Sequence, residues 1–143
     1  MGPQVFTAHH EAGHAVVAIH LGWTVNELHL ENFQDGWTDA DPPGDVGWRE
    51  HVLVLLGGAA GEALVGTDLS EVCNVDDEYA DALERCTTNV GPERAAQLCA
   101  ELQGDAVRIV EQRRTLVEAL AAEAIRCRTL TGDRIAELVA ACA

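Results

Sequence analysis

Apolar residues leave the first twenty positions with almost no polar face. From Gln4 to Leu21, alanines, valines and an isoleucine surround a short polar run, and Gly22 follows as a stop. This predicts a helix over 4–21, with Thr7 as an internal start. Val25, Leu28 and Leu30, interspersed with Asn26, Glu27 and His29, predict a short strand over 23–30. Residues 31–47 contain Asp, Gly and two prolines without a period and read as a long acidic loop. From Trp48 to Val65 the pattern is helical again and apolar around much of its girth, which predicts a central buried helix. Gly57, Gly58 and Gly61 inside it each cost about 1 kcal/mol of helix propensity against alanine. They therefore imply the close approach of another backbone, with helix 4–21 as the candidate.

A third helix is predicted over 74–89, ending at the turn Val90-Gly91-Pro92. A fourth covers 93–103 and runs past Gly104 into a long one over 105–128, and a last helix over 131–141 has capping oxygens in Thr131 and Asp133. No internal repeat and no Gly/Ser linker divides the chain. The expected architecture is mainly α, one domain over 1–143, with one small β element and the acidic loop 31–47.

Within the first helix, His10-Glu11-Ala12-Gly13-His14 spells H-E-x-x-H. Histidines four apart differ by about 40° around a helix axis, so both imidazoles leave one face and can bind one tetrahedral Zn²⁺. Glu11 sits about 100° from His10, beside the metal, where it can take a proton from an attacking water. The small and apolar residues around this trio place it on a buried helix, where ionisable groups need a partner. His20 completes a longer spacing, H-E-x-x-H-x-x-x-x-x-H. With Val17, Ala18 and Ile19 continuing the helix, however, it lies about 240° from His14 on another face. It reads as a structural or surface histidine, as does His9.

Composition narrows the field. The chain of 143 residues has a formal net charge of −15 and no lysine, all nine basic residues being arginines. Binding to nucleic acid or to an anionic membrane surface needs a basic footprint that is missing here. The same charge predicts that acidic peptides are poor substrates. The five cysteines, Cys73, Cys86, Cys99, Cys127 and Cys142, include no C-x-x-C and read as reduced thiols of a cytoplasmic protein. No signal-peptide pattern opens the chain, and no apolar stretch approaches a membrane span.

From His9-His10-Glu11-Ala12-Gly13-His14 onward, the sequence resembles the peptidase domain of FtsH-type AAA+ zinc proteases. Leu55-Leu56-Gly57-Gly58-Ala59-Ala60-Gly61-Glu62 with Val65-Gly66 resembles that family's glycine-rich central helix, although Ala59 replaces its arginine. Asn74-Val75-Asp76-Asp77-Glu78-Tyr79-Ala80 resembles the N-D-x-x-x-A segment that supplies a third, aspartate, ligand. Arg113-Arg114-Thr115-Leu116 and Thr129-Leu130-Thr131-Gly132-Asp133-Arg134-Ile135 resemble the closing helices. The resemblance implies a zincin-like helical bundle, with His10 and His14 as zinc ligands and Glu11 as the catalytic base. It designates Asp76 as third ligand, with Asp77 and Glu62 as alternatives. Asp76 and Asp77 also suit the N-terminal turn of a helix, and Glu62 also suits an acceptor that holds a histidine ring.

The implied activity is zinc-dependent endopeptidase action on peptide or unfolded-protein substrates, with strand 24–30 pairing with the extended peptide. A chain without lysine cannot contain a Walker A loop, so these residues encode no ATPase. A separate ATPase or regulatory partner and an oligomeric state are compatible with this reading. The alternative is a non-catalytic metal-binding regulatory or interaction module of the same fold, with loop 31–47 covering the cleft.

Overall fold

The computed structural model describes residues 2–69 and 77–143. In chain order these form α1 (Pro3–His20), β1 (Thr24–Leu30), β2 (Gly36–Asp41), α2 (Trp48–Ala63), α3 (Asp77–Val90), α4 (Pro92–Gln112), α5 (Arg114–Cys127), β3 (Thr129–Thr131) and α6 (Gly132–Ala141). The architecture is mainly helical, with a small three-stranded sheet.

Helix α1 is the centre. Ala8, Ala12, Ala15, Val16, Val17 and Ala18 are completely buried, because α1 packs on α2, α4, α5 and the inner face of the sheet. Its side chains are small because neighbours crowd it on nearly every side. The glycine-bearing helix is buried as expected: α2 buries Val52 and the unbroken run 56–61, more than a full turn, among α1, α3 and α4. The expected close approach is present: a Cβ on Gly13 would lie 2.1 Å from the Gly57 carbonyl oxygen, and one on Gly61 would lie 2.0 Å from that of His9. Two helices in such contact need glycine at the crossing, which explains why the propensity cost is tolerated.

Segment 31–47 is not the long loop that its composition suggests. It contains β2, antiparallel to β1 with Leu28 opposite Thr38 and Leu30 opposite Gly36. Gly36, Thr38 and Ala40 turn inward while Trp37, Asp39 and Asp41 face out. The alternation is hard to read because the inward residues are small and the outward ones mostly acidic. The sheet order β2-β1-β3 also places β1 in the middle, with both edges occupied. Strand β1 therefore cannot receive an extended peptide. Strand β2 has one side paired to β1 and no strand on the other among the described residues.

The long helix predicted over 105–128 is broken at Arg113 (φ −113°, ψ 29°), which lets both α4 and α5 turn their apolar faces to α1. Helix α1 stops before Gly22, whose φ of +84° suits glycine. Thr131 caps α6, its hydroxyl accepting from the Arg134 amide at 3.2 Å. Among the described residues there is no disulfide: Cys86 and Cys99 are buried, Cys127 is exposed and Cys142 intermediate. Burial is the main cause that pushes the Cys86 thiol up to about 11, as suits an inert core residue. Cys73 lies outside the described residues. No described helix is long and apolar enough to cross a membrane.

Candidate metal centre

Helices α1 and α2 run side by side in opposite directions, and their contact builds the first part of the site. Val54, Gly58 and Glu62 follow one another at four-residue steps along α2, opposite His14 and His10 on α1. His14 Nδ1 lies 2.7 Å from the Val54 carbonyl oxygen, and His10 Nδ1 lies 2.7 Å from Glu62 Oε2. Both partners are acceptors, so each Nδ1 carries the hydrogen and donates it, an assignment made from the partners. Each Nε2 is thereby left with a lone pair, and the two Nε2 atoms are 3.1 Å apart.

Helix α3 closes the cluster. Glu78 Oε1 is 2.7 Å from His10 Nε2, and Glu78 Oε2 is 2.9 Å from His14 Nε2. The three residues present ligand atoms within 4.8 Å of one another, a group that could hold a metal ion. With both rings neutral, facing lone pairs and a carboxylate repel, so the cluster calls for a positive charge between them, either a proton on Nε2 or a metal cation. The donor set of two imidazoles and a glutamate is one that catalytic zinc uses. Gly58 supplies the space: a Cβ there would lie 2.5 Å from His10 Nε2 and 2.6 Å from His14 Nε2. The residues fit a cation on these grounds.

The electrostatics agree. Burial disfavours a charged His10 ring, but hydrogen bonds to Glu62 and Glu78 outweigh it and raise its pKa to about 10. Burial likewise pushes the Glu78 carboxyl up, but hydrogen bonds from His10 and His14 prevail and bring it down to about 2. Glu78 is thus ionised across the neutral range, and positive charge is favoured between it and the rings.

Glu11, only 6% exposed, sits beside the cluster and is held from the sheet. Thr38 Oγ1 lies 2.9 Å from Glu11 Oε1 and 2.9 Å from the Glu11 backbone oxygen, so its single proton is shared between them. At Gly36 an added Cβ would come within 3.2 Å of Glu11 Cγ, so β2 passes as close to the carboxylate as a side-chain-free residue allows. A cavity of about 370 Å³ opens next to Glu11, His14 and Glu78, walled by Trp23, Val54 and Leu55, with Trp37, His51 and Arg85 also at its lining. A second cavity of about 340 Å³ lies on the His10 side, bordered by Glu62, Gln34 and Asp35.

No family model matches this chain, and no curated protein does.

His10, Glu11 and His14 come together as their spacing implies. Asp76 lies outside the described residues. Among the described residues Glu78 completes the cluster, while Asp77 is exposed in the first turn of α3. Glu62 holds the His10 ring and is no member of the three-residue group. His20 is an exposed surface residue at the end of α1, and His9 Nδ1 donates to the Val5 carbonyl oxygen at 2.8 Å, so neither joins the cluster. Two residues of this arrangement, Glu78 and Thr38, were not among the expected site residues. Glu78 had a signal: Tyr79, Ala82 and Cys86 recur at helical spacing as the buried stripe of α3, and Glu78 adjoins that stripe. Thr38 had none, because its role depends on a pairing between strands.

Proposed function

We propose that this chain is a zinc-dependent endopeptidase domain related to the proteolytic domain of FtsH-type proteases, with His10, His14 and Glu78 as ligands and Glu11 as general base. The observation that carries this reading is the convergence of both Nε2 atoms and the Glu78 carboxylate beside the oriented carboxylate of Glu11. When bound, zinc supplies Lewis acidity towards a peptide carbonyl and makes an attacking water more acidic. Glu62 and the Val54 carbonyl hold the two imidazoles in the ligating tautomer. The Glu11 carboxylate accepts the proton of the attacking water and returns it to the leaving amine. Thr38 keeps Glu11 turned towards the cleft. The strand-free side of β2 offers main-chain groups to an extended substrate, which fits endopeptidase action.

The non-catalytic alternative drew on a loop over the cleft. That segment contributes β2, whose Gly36, Trp37, Thr38 and Ala40 line the cavity, and the oriented carboxylate of Glu11 favours the catalytic reading over the alternative. The test is bound zinc measured by elemental analysis, together with cleavage of casein by the wild type and Glu11→Gln. Zinc retained and cleavage lost in the variant is the expected result; zinc retained with cleavage unchanged removes Glu11 from its role.

A further inference from the structure

The cavity beside Glu11, His14 and Glu78 contains more than a catalytic site needs. Its walls combine apolar Trp23, Ala40, Val54 and Leu55 with the carboxylates of Glu11 and Glu78, the imidazoles of His14 and His51, and, among the described residues, a single guanidinium, that of Arg85. Arg85 follows Glu78 by seven residues on α3, which brings it back to the same helix face about 10 Å further along the axis. One rigid helix therefore sets the distance between the metal-binding carboxylate and a guanidinium.

The partner of Arg85 within the chain is a weak one. Its Nε lies 3.2 Å from Asp81 Oδ1, one turn away, with both side chains about half exposed. Exposed pairs of this kind contribute about 0.3–0.5 kcal/mol, so a second acceptor can join or replace Asp81 at little cost. The contact with Asp81 runs through Nε, and the terminal nitrogens of the fork suit a bidentate carboxylate. In a chain with a net charge of −15, an arginine at the substrate cavity is also a marked departure from the general acidity.

We propose that Arg85 is a specificity residue that selects peptides bearing a carboxylate near the scissile bond. This rests on the peptidase reading above for the meaning of the cavity. An extended chain advances about 3.3–3.6 Å per residue, so a carboxylate within about three residues of the bond reaches Arg85. Its source is the side chain of Asp or Glu, as suits an endopeptidase, or the α-carboxylate of a C-terminus, which would make the cleavage carboxypeptidase-like. The general acidity of the chain still disfavours strongly acidic substrates at long range, but that repulsion is screened beyond about 8 Å at physiological salt. The contact with Arg85 is local and survives screening. Acidic stretches remain poor substrates; a single well-placed carboxylate is favoured.

Binding and cleavage separate this inference from the reading beneath it. Zinc-loaded Glu11→Gln protein, in which hydrolysis is disabled, is titrated with three matched leucine- and alanine-containing peptides. One has a free C-terminus, one is the C-terminal amide, and one is the amide with an internal glutamate. Tryptophan fluorescence reports occupancy, since Trp23 and Trp37 line the cavity. The expected result is roughly tenfold or tighter binding of at least one carboxylate peptide over the plain amide, the size of a charged hydrogen-bonded contact. Introducing Arg85→Gln should bring that ratio to about one, and Arg85→Glu should reverse it, with zinc content unchanged. Preference for the free acid identifies the C-terminus as the source, and preference for the internal glutamate identifies the side chain. A ratio near one in the presence of Arg85, or a ratio that Arg85→Gln leaves intact, overturns the inference. Casein cleavage by the Glu11-containing protein is scored separately. Its absence beside an Arg85-dependent ratio counts against the peptidase reading alone.

Discussion

Gly58 lies so close to His10 that a Cβ on it would stand 2.5 Å from His10 Nε2, at the place where the ligand atoms converge. Gly58→Ala should therefore keep the fold while lowering metal affinity by roughly 10–100-fold, the range seen when groups behind metal ligands are disturbed. Circular dichroism and a competitive zinc titration check both halves. Gly13→Ala should behave differently. Its Cβ would meet the Gly57 carbonyl oxygen at 2.1 Å, a backbone atom that cannot swing away, so overpacking should cost about 1–3 kcal/mol or more in urea unfolding.

The third ligand is read by comparing neighbours. Glu78→Ala should abolish tight zinc binding, while Asp77→Ala, which changes an exposed helix-start carboxylate, should leave the metal content as it was. Retention of stoichiometric zinc by Glu78→Ala would remove Glu78 from the ligand set.

Glu62 acts through His10. Glu62→Ala takes away the acceptor 2.7 Å from Nδ1 and frees the ring to turn, so zinc affinity should fall about 10–100-fold. Glu62→Gln retains an acceptor oxygen and should lose less. Equal losses in isothermal titration would show that charge, rather than ring orientation, is what Glu62 provides.

Thr38 positions Glu11 across the gap between sheet and helix. Thr38→Val removes the bond to Glu11 Oε1 at nearly constant shape, and kcat should drop about tenfold with zinc content and KM little changed. Thr38→Ser, which restores the hydroxyl, should recover the rate. A loss that serine fails to rescue would point to packing instead.

Metal binding should depend steeply on pH. Burial opposes charge on His10, but the carboxylates of Glu62 and Glu78 raise its pKa from 6.5 to about 10, so a cation entering at lower pH must displace a proton. Apparent zinc affinity should rise about tenfold per pH unit through the neutral range and level off towards about pH 10. In chelator-treated protein the same proton stabilises the fold: its contribution is complete below pH 6.5 and is lost as pH rises towards about 10. Glu78, lowered from 4.5 to about 2, contributes the converse: stability present above pH 4.5 and lost as pH falls towards about 2. A zinc affinity flat between pH 6 and 9 would contradict the raised pKa (window of roughly three units).

Local periodicity made much of this molecule legible. The residues of α1 show their helix through small apolar side chains, and its two histidines share a face because 3.6 residues make a turn. Gly57 and Gly61 announced a close helix crossing because nothing else compensates glycine inside a helix. Thr131 announced the start of α6 through its capping oxygen. These features depend on neighbours a few residues away, which is the range a sequence displays directly.

What required the tertiary structure are contacts between residues far apart in the chain. Strand β2 exists because β1 pairs with it; its own residues, small and acidic, have too little apolar contrast to reveal a strand. Thr38 reaches Glu11 across 27 positions, and Glu62 reaches His10 across 52. Which carboxylate of α3 meets the two imidazoles was decided by how that helix packs on α2 and α4. Of the adjacent carboxylates Asp77 and Glu78, the packing of Tyr79, Ala82 and Cys86 turns Glu78 onto the two imidazoles. The sequence by itself determined that a pair of histidines and a base share one buried helix. The fold determined which side chain completes the cluster, because such a cluster closes through space and a chain carries no direct record of its distant neighbours.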